Sequence, residues 1–112
     1  MLEAITAAGQ RANRYPDMGC IVLREVIAEA LGRPVAEVAV GPGSVAVLQQ
    51  VITAFCDAGD EVVFAWRSFE AYPILAAIAG ATAVRVPLRA DEGHDLIAMA
   101  AAITDRTRVV LV

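Results

Sequence analysis

The stretch that decides the fold is VAVGPGSVAVLQQVITA, residues 38–54. The short apolar run Val38–Val40 predicts a strand, and the apolar residues after the turn Gly41–Ser44 have helical spacing. A strand that enters a helix through a glycine-rich turn forms an anion site. The glycines let the backbone approach a ligand, and the first amides of the helix lack partners. We therefore expect Ser44 to be the helix N-cap and a phosphorylated group to bind beside it.

Three interpretations of this turn are open. Residues 41–46 match the GxGxxA form of a dinucleotide-binding fingerprint, which needs an acidic side chain near the end of the next strand. Asp60 and Glu61 lie at the start of that strand instead, as turn and surface charges. In a second interpretation the backbone amides of Ser44 and Val45 bind a single phosphate, assisted by the Ser44 hydroxyl. In the third, the glycines only relieve steric crowding in a strand-to-helix turn.

Strands and helices alternate along the rest of the chain. The predicted strands are Val38–Val40, Glu61–Ala65, Thr82–Val86 and Arg108–Val112. The predicted helices are Leu2–Ala12, Cys20–Leu31, Ser44–Ala54, Phe69–Ala79 and Leu96–Ala102, the last of them capped by Asp95. This order predicts an α/β fold with crossover helices and a mostly parallel sheet.

Two of these helices have an apolar stripe that we expect to face inward. The stripe of the second helix is Leu23, Ile27, Ala30 and Leu31, and that of the third helix is Val45, Leu48, Val51 and Ile52.

Length and composition exclude several classes of protein. The chain has 112 residues, a net charge of −4 and 58% hydrophobic residues, which allows one domain at most. Its longest apolar run, Leu96–Ile103, is far shorter than the roughly 18 residues of a membrane span. The acidic balance argues against a nucleic-acid partner. Cys20 and Cys56 have no metal-type spacing, so we expect two buried free thiols, no metal site and a cytoplasmic protein.

Aromatic residues follow the second predicted strand, at the edge where ligands bind in α/β sheets. Trp66, Phe69 and Tyr72 could stack on a flat ring or could cover the start of the next helix as part of the core. The Tyr15 hydroxyl, before Pro16, could donate to a phosphate, or the ring could simply pack. All nine basic residues of the chain are arginine, so it contains no lysine.

In this order, the segments resemble the fold-type I pyridoxal-phosphate aminotransferases, most closely the histidinol-phosphate and aromatic amino acid branches. The segments that carry the resemblance are Asn13–Asp17 (NRYPD), Leu23–Glu25 (LRE), Val40–Ser44 (VGPGS), Gly59–Val63 (GDEVV) and Trp66–Pro73 (WRSFEAYP). It implies that residues 1–112 are part of the large, cofactor-binding domain. Residues 1–33 would supply the N-terminal helices and connector, and residues 34–112 the start of the α/β sheet.

The resemblance also implies roles for individual residues. Gly43, Ser44 and Val45 would bind the phosphate of pyridoxal 5′-phosphate at the helix start. Phe69 would stack on the pyridine ring. Tyr15 would reach the cofactor phosphate of the neighbouring subunit, since the sites of the family lie at a homodimer interface.

The implied activity is transfer of an amino group from histidinol phosphate or an aromatic amino acid to a 2-oxo acid such as 2-oxoglutarate. A related decarboxylase is a further possibility on the same scaffold. Transamination needs a lysine that holds the cofactor as a Schiff base, and the chain has none. We therefore expect a fragment that is inactive alone, without catalytic residues of its own. The alternative from another class is a non-catalytic phosphate- or nucleotide-binding module.

Overall fold

The computed structural model describes all 112 residues of the chain. The elements are α1 (Leu2–Gly9), α2 (Ile21–Leu31), a 3-10 turn (Val35–Glu37), α3 (Ser44–Phe55), β1 (Glu61–Trp66), α4 (Ala71–Ile78), β2 (Thr82–Pro87), α5 (Leu96–Ala101) and β3 (Thr107–Leu111). They form two compact units, Met1–Val40 and Gly41–Val112. None of the helices is both long and apolar enough to span a membrane.

The second unit contains a parallel three-stranded sheet in the order β2-β1-β3. β1 pairs with β2 along its whole length, from Glu61 opposite Thr82 to Trp66 opposite Pro87. Parallel neighbours need crossover connections, which α4 and α5 provide. The predicted α/β class is therefore confirmed, and Asp95 caps α5 as expected, since its carboxylate accepts from the Ala98 amide at 2.9 Å.

Both faces of the central strand β1 are covered. Val62 and Phe64 lie on one face, in a cluster that includes residues of α3 and α4. Val63 and Ala65 lie on the other face, packed with Met99 of α5. All five side chains are almost completely buried. Such burial on both sides explains why β1 is a continuous apolar run rather than an alternating pattern.

The predicted strand Val38–Val40 is wrong, because no part of it pairs in the sheet. Val38 does adopt extended dihedral angles, with φ −106° and ψ 116°. Its carbonyl accepts a hydrogen bond from Arg24 Nε at 2.8 Å, and Arg24 also donates to the Val35 carbonyl at 2.9 Å. A side chain of α2 thus occupies the acceptor that a neighbouring strand would use. Apolar composition alone predicted the strand and carried no information about this partner.

The predicted apolar stripe of α2 is largely exposed. Leu23 and Leu31 are 52% and 67% exposed, and only Ala28 is buried within the helix. Within Met1–Val40 the short 3-10 turn Val35–Glu37 is the element that packs on α2, and it is too small to cover the stripe. In α3 the expectation is met by Ile52 and in part by Leu48.

Three more side chains depart from the expected burial. On α3, Val45 and Val51 stay exposed and do not join the cluster that contains Ile52. Cys56 is buried as expected, but Cys20 is exposed. Cys20 precedes α2 with φ 47° in a connector whose turn is held by Asp17, which accepts from the Ile21 amide at 2.7 Å.

Glu61 was expected on the surface, yet its side chain lies inside the amino edge of the sheet, and the residue is only 4% exposed. Its carboxylate accepts from the Thr104 hydroxyl at 2.6 Å and from an Arg106 guanidinium nitrogen at 2.7 Å. The Thr107 hydroxyl adds a longer bond of 3.3 Å. A buried charge requires such partners, and here they join β1 to the segment that leads into β3.

These partners make Glu61 a source of acid-sensitive stability. The Thr104 hydroxyl first, and then the Arg106 guanidinium, hold the pKa of the Glu61 carboxyl below the ordinary glutamate range, although burial opposes them. A carboxyl with a lowered folded-state pKa stabilises the fold fully above its unfolded-state pKa. That contribution is lost as the pH falls through the folded-state pKa.

We predict that Glu61→Gln lowers the free energy of unfolding at neutral pH. The free energy of unfolding should also decline less steeply in acid, because glutamine cannot take up the proton that the Glu61 carboxylate binds. Urea unfolding measured from neutral to acidic pH tests this. Glu70→Gln is the matched control, since Glu70 forms only an exposed ion pair with Arg67. A Glu61→Gln profile parallel to that of the parent protein would contradict the role given to Glu61.

Candidate functional site

The two glycines of the turn before α3 are needed there for different physical reasons. Gly43 has φ +84° and ψ 171°, a conformation that side chains disfavour. A Cβ on Gly41 would lie only 3.3 Å from the Ala46 Cβ and 3.3 Å from the side-chain Nε2 of Gln50. Gly43 thus permits the bend, and Gly41 permits close approach of the turn to α3.

Gly43, rather than Ser44, is the N-cap of α3, which corrects the expected cap. Ser44 is the first helical residue, and no side chain caps the helix. The positive φ that glycine adopts easily at position 43 lets the helix begin at Ser44, one residue earlier than a cap at Ser44 would allow.

Three backbone amides at the start of α3 have no acceptor in the protein. The first amide bonded to the turn is that of Val47, which donates to the Gly43 carbonyl at 3.3 Å. The amides of Ser44, Val45 and Ala46 precede it and have no intrahelical partner. They lie at the positive end of the helix dipole, beside an exposed Ser44 hydroxyl. This donor set fits a phosphate group, which accepts several hydrogen bonds and carries negative charge.

Phe69 lies in the loop between β1 and α4, because α4 begins at Ala71 rather than at Phe69 as predicted. Its side chain is 40% exposed. The Ser68 hydroxyl donates to the Ala65 carbonyl at 3.0 Å, and the Tyr72 amide donates to the Phe69 carbonyl at 3.2 Å. The loop backbone is therefore fixed on both sides of Phe69 while the ring keeps an open surface.

The other two aromatic side chains of this region belong mainly to the core. Trp66 and Tyr72 are half-buried and pack against the α3–α4 side of the sheet. The guanidinium groups of Arg67 and Arg85 lie 5.3 and 5.1 Å from the centre of the Trp66 ring. Of the three candidates for stacking on a ligand, Phe69 is the one with an open face. The sequence analysis did not predict the contact between Arg85 and Trp66. The alternation of side chains along β2 places Arg85 on the same face as Ala83, and this signal could have indicated the contact.

The turn before α3 and the Phe69 loop lie at the same edge of the sheet. Phe69 follows the carboxyl end of β1 directly. Helix α3 packs on the α4 side of the sheet, and its last residue is joined to the amino end of β1 by the turn 56–60. The start of α3 therefore lies toward the opposite, carboxyl edge of the sheet. Ligands of parallel α/β sheets bind at this edge. The topology therefore brings Gly43, Ser44, Val45 and Phe69 to one side of the second unit.

Tyr15 belongs to the first unit, in the connector between α1 and α2. Its side chain is fully exposed and makes no hydrogen bond within the chain. Near the end of this connector, the Asp17 carboxylate accepts from the Gly19 amide at 2.9 Å and from the Ile21 amide at 2.7 Å, which fixes the start of α2.

The carboxyl end of β1 itself carries no acidic side chain for a dinucleotide, because the strand ends in Trp66. Glu70, in the loop that follows, forms an exposed ion pair with Arg67. Glu61 is bonded to Arg106 at the opposite edge. This placement disfavours the dinucleotide interpretation. No group of three or more His, Cys, Asp or Glu side chains in the chain could hold a metal ion.

A comparison with protein families decides the membership. The family model for class I and II aminotransferases matches residues 1–112. The chain belongs to this family. Membership implies pyridoxal 5′-phosphate as the cofactor, and the unpaired amides at the start of α3 fit its phosphate.

Relatives in sequence are named aromatic amino acid aminotransferases. The chain is 59% identical over 111 residues to the one from Corynebacterium glutamicum (strain R), covering 99% of this chain and 33% of that protein. It is 56% identical to the one from Rhodococcus jostii (strain RHA1), covering 98% of this chain and 31% of that protein. The chain thus spans about a third of the length of the curated relatives it matches.

Solved structures of the same fold include histidinol-phosphate aminotransferase from Sinorhizobium meliloti in complex with pyridoxal-5′-phosphate. It superposes with a TM-score of 0.79 at 28% identity, over 94% of this chain and 28% of that chain. YbdL from Escherichia coli, described with a methionine aminotransferase function, superposes with a TM-score of 0.76 at 31% identity, over 95% of this chain and 30% of that chain. Both confirm the fold-type I architecture over a part of each larger protein.

Proposed function

We propose that the native protein, meaning the protein that carries this chain at its natural length, is an aromatic amino acid aminotransferase. It would transfer an amino group from an aromatic amino acid to a 2-oxo acid such as 2-oxoglutarate. The observation that carries the proposal is 59% identity, over 99% of this chain, to a relative of that name. Histidinol phosphate, the other donor expected from sequence, has weaker support, because the structure of that name is 28% identical.

The chain's own contribution would be to bind and orient the cofactor. The amides of Ser44, Val45 and Ala46 would hold its phosphate, and Gly43 would give the turn the conformation that aims them at one point. The open face of Phe69 would lie against the pyridine ring and exclude water from that side. When bound, pyridoxal phosphate supplies the electron-accepting ring chemistry of amino transfer.

The side chain of Val45 adds nothing polar to the site, so only its backbone contributes. With no lysine among residues 1–112, the covalent attachment would have to come from a lysine outside this stretch. We therefore propose that residues 1–112 alone bind the cofactor weakly and do not transfer amino groups.

A second part of the proposal concerns Tyr15 and a homodimer. The Tyr15 hydroxyl has no partner in its own chain and is fully exposed. In a homodimer it would donate to the cofactor phosphate of the partner subunit, as the resemblance implies. The exposed apolar side chains of α1 and α2 are compatible with a covering partner.

A non-catalytic phosphate- or nucleotide-binding module remains the alternative from another class. The same three amides would serve such a module. It lacks support from β1, which has no acidic side chain for a ribose at its carboxyl end, while Glu70 in the following loop is paired with Arg67. Tight nucleotide binding by residues 1–112, with no affinity for pyridoxal phosphate, would favour it.

We predict that Ser44→Asp in the native protein weakens pyridoxal phosphate binding about tenfold or more, because a carboxylate would face the phosphate across the helix start. The dissociation constant of the cofactor, measured by fluorescence titration of the apoprotein, tests this. Ser44→Ala removes only the hydroxyl and should cost less. Thr53→Asp adds the same charge in the last turn of α3 and should leave the affinity unchanged. Equal affinities for Ser44→Asp and the parent would remove Ser44 from the site.

We predict that the native protein prefers aromatic amino donors. Steady-state assays with 2-oxoglutarate as acceptor should give kcat/KM values for phenylalanine or tyrosine at least about tenfold above that for histidinol phosphate, a transition-state difference of about 1.4 kcal/mol. A preference of similar size for histidinol phosphate would overturn the assignment while leaving the transaminase class intact. Decarboxylation without amino transfer would overturn both.

A further inference from the structure

We infer that Tyr72 is a positioning residue that fixes the orientation of the Phe69 ring toward the cofactor. The inference rests on the proposed function, since it concerns the same site. Phe69 lies in a loop and is 40% exposed, so its own burial does not fix the direction of its ring. Some contact on its inner side must do so if the outer face is to meet a flat ligand.

Tyr72 supplies that contact. The rings of Phe69 and Tyr72 meet edge to face, with centroids 5.3 Å apart and an interplanar angle of 82°. The Tyr72 amide also donates to the Phe69 carbonyl at 3.2 Å, so the two residues are joined through backbone and side chain. An edge-to-face pair has a preferred geometry, because the positive edge of one ring meets the negative face of the other.

Tyr72 is in turn fixed by the core. It belongs to the first turn of α4, and its ring lies 5.5 Å from that of Phe64, which is fully buried in β1. Phe64 also meets Trp66 at 6.2 Å. A continuous row of aromatic rings therefore runs from the centre of the sheet to the exposed ring of Phe69. The rigid strand β1 thus determines the orientation of a loop side chain.

The Tyr72 hydroxyl has no hydrogen-bond partner in the chain, so the ring alone carries the effect. This gives a matched pair of variants. Tyr72→Phe keeps the ring and should leave the cofactor dissociation constant of the native protein unchanged. Tyr72→Leu removes the edge-to-face contact and should weaken cofactor binding by about three- to tenfold. It should also change the induced circular dichroism of the bound cofactor, which reports the orientation of its ring.

A double-mutant cycle separates positioning from general damage to the fold. In a Phe69→Leu background, Tyr72→Leu should cause no further loss of cofactor affinity, whereas its effect on the thermal unfolding of the apoprotein should persist. Equal losses of cofactor affinity in both backgrounds would overturn the role given to Tyr72 but not the proposed function. A loss of affinity with Tyr72→Phe as large as with Tyr72→Leu would do the same. If Phe69→Leu itself left cofactor affinity unchanged, the proposed stacking role of Phe69 would fail. Tyr72→Met fills similar space and gives the same comparison if Tyr72→Leu folds poorly.

Discussion

The rest of the second unit depends on the enclosure of β1. This strand is paired in parallel with β2 on one edge and β3 on the other, and both of its faces are buried. A strand held in this way cannot shift its register by one residue without moving Phe64 and Val63 to opposite faces. The two ends of β1 are therefore held in place. Its carboxyl end leads into the Phe69 loop, and its amino end is Glu61.

The two edges of the sheet serve different purposes. At the amino edge, the buried carboxylate of Glu61 accepts hydrogen bonds from Thr104 and Arg106 of the same chain. At the carboxyl edge, the amides of Ser44 and its two successors have no internal acceptor, and Phe69 has an open face. Satisfied polar groups stabilise a fold, while unsatisfied ones are available to a ligand. This asymmetry is the reason that we propose the carboxyl edge as the cofactor side of the second unit.

Much of the fold follows from the sequence because its signals are local. The glycine turn, the apolar run of β1 and the Asp95 cap each depend on a few neighbouring residues, and all three are found in the structure. Apart from errors of one or two residues at helix starts, the failures concern partners distant in sequence. The pattern of Val38–Val40 could not reveal that Arg24 bonds to the carbonyl of Val38.

The same limit applies to burial and to the site. The charge of Glu61 suggested the surface, because its partner Arg106 lies 45 residues away. The helical spacing of α2 predicted a stripe but not whether anything covers it. In the site, the glycines of the turn indicated that an anion binds there. The family resemblance indicated that this anion is the phosphate of pyridoxal phosphate. Only the structure shows that Gly43 replaces Ser44 as the cap and that Phe69 keeps an open face while Trp66 does not.

The central claim is that the first amides of α3 hold the phosphate of pyridoxal phosphate. A crystal structure of the native protein with this cofactor tests it most directly. The account predicts phosphate oxygens within hydrogen-bonding distance of the amide nitrogens of Ser44, Val45 and Ala46, with the pyridine ring against Phe69. A cofactor phosphate bound elsewhere, with these three amides bonded to water or to protein, would contradict it.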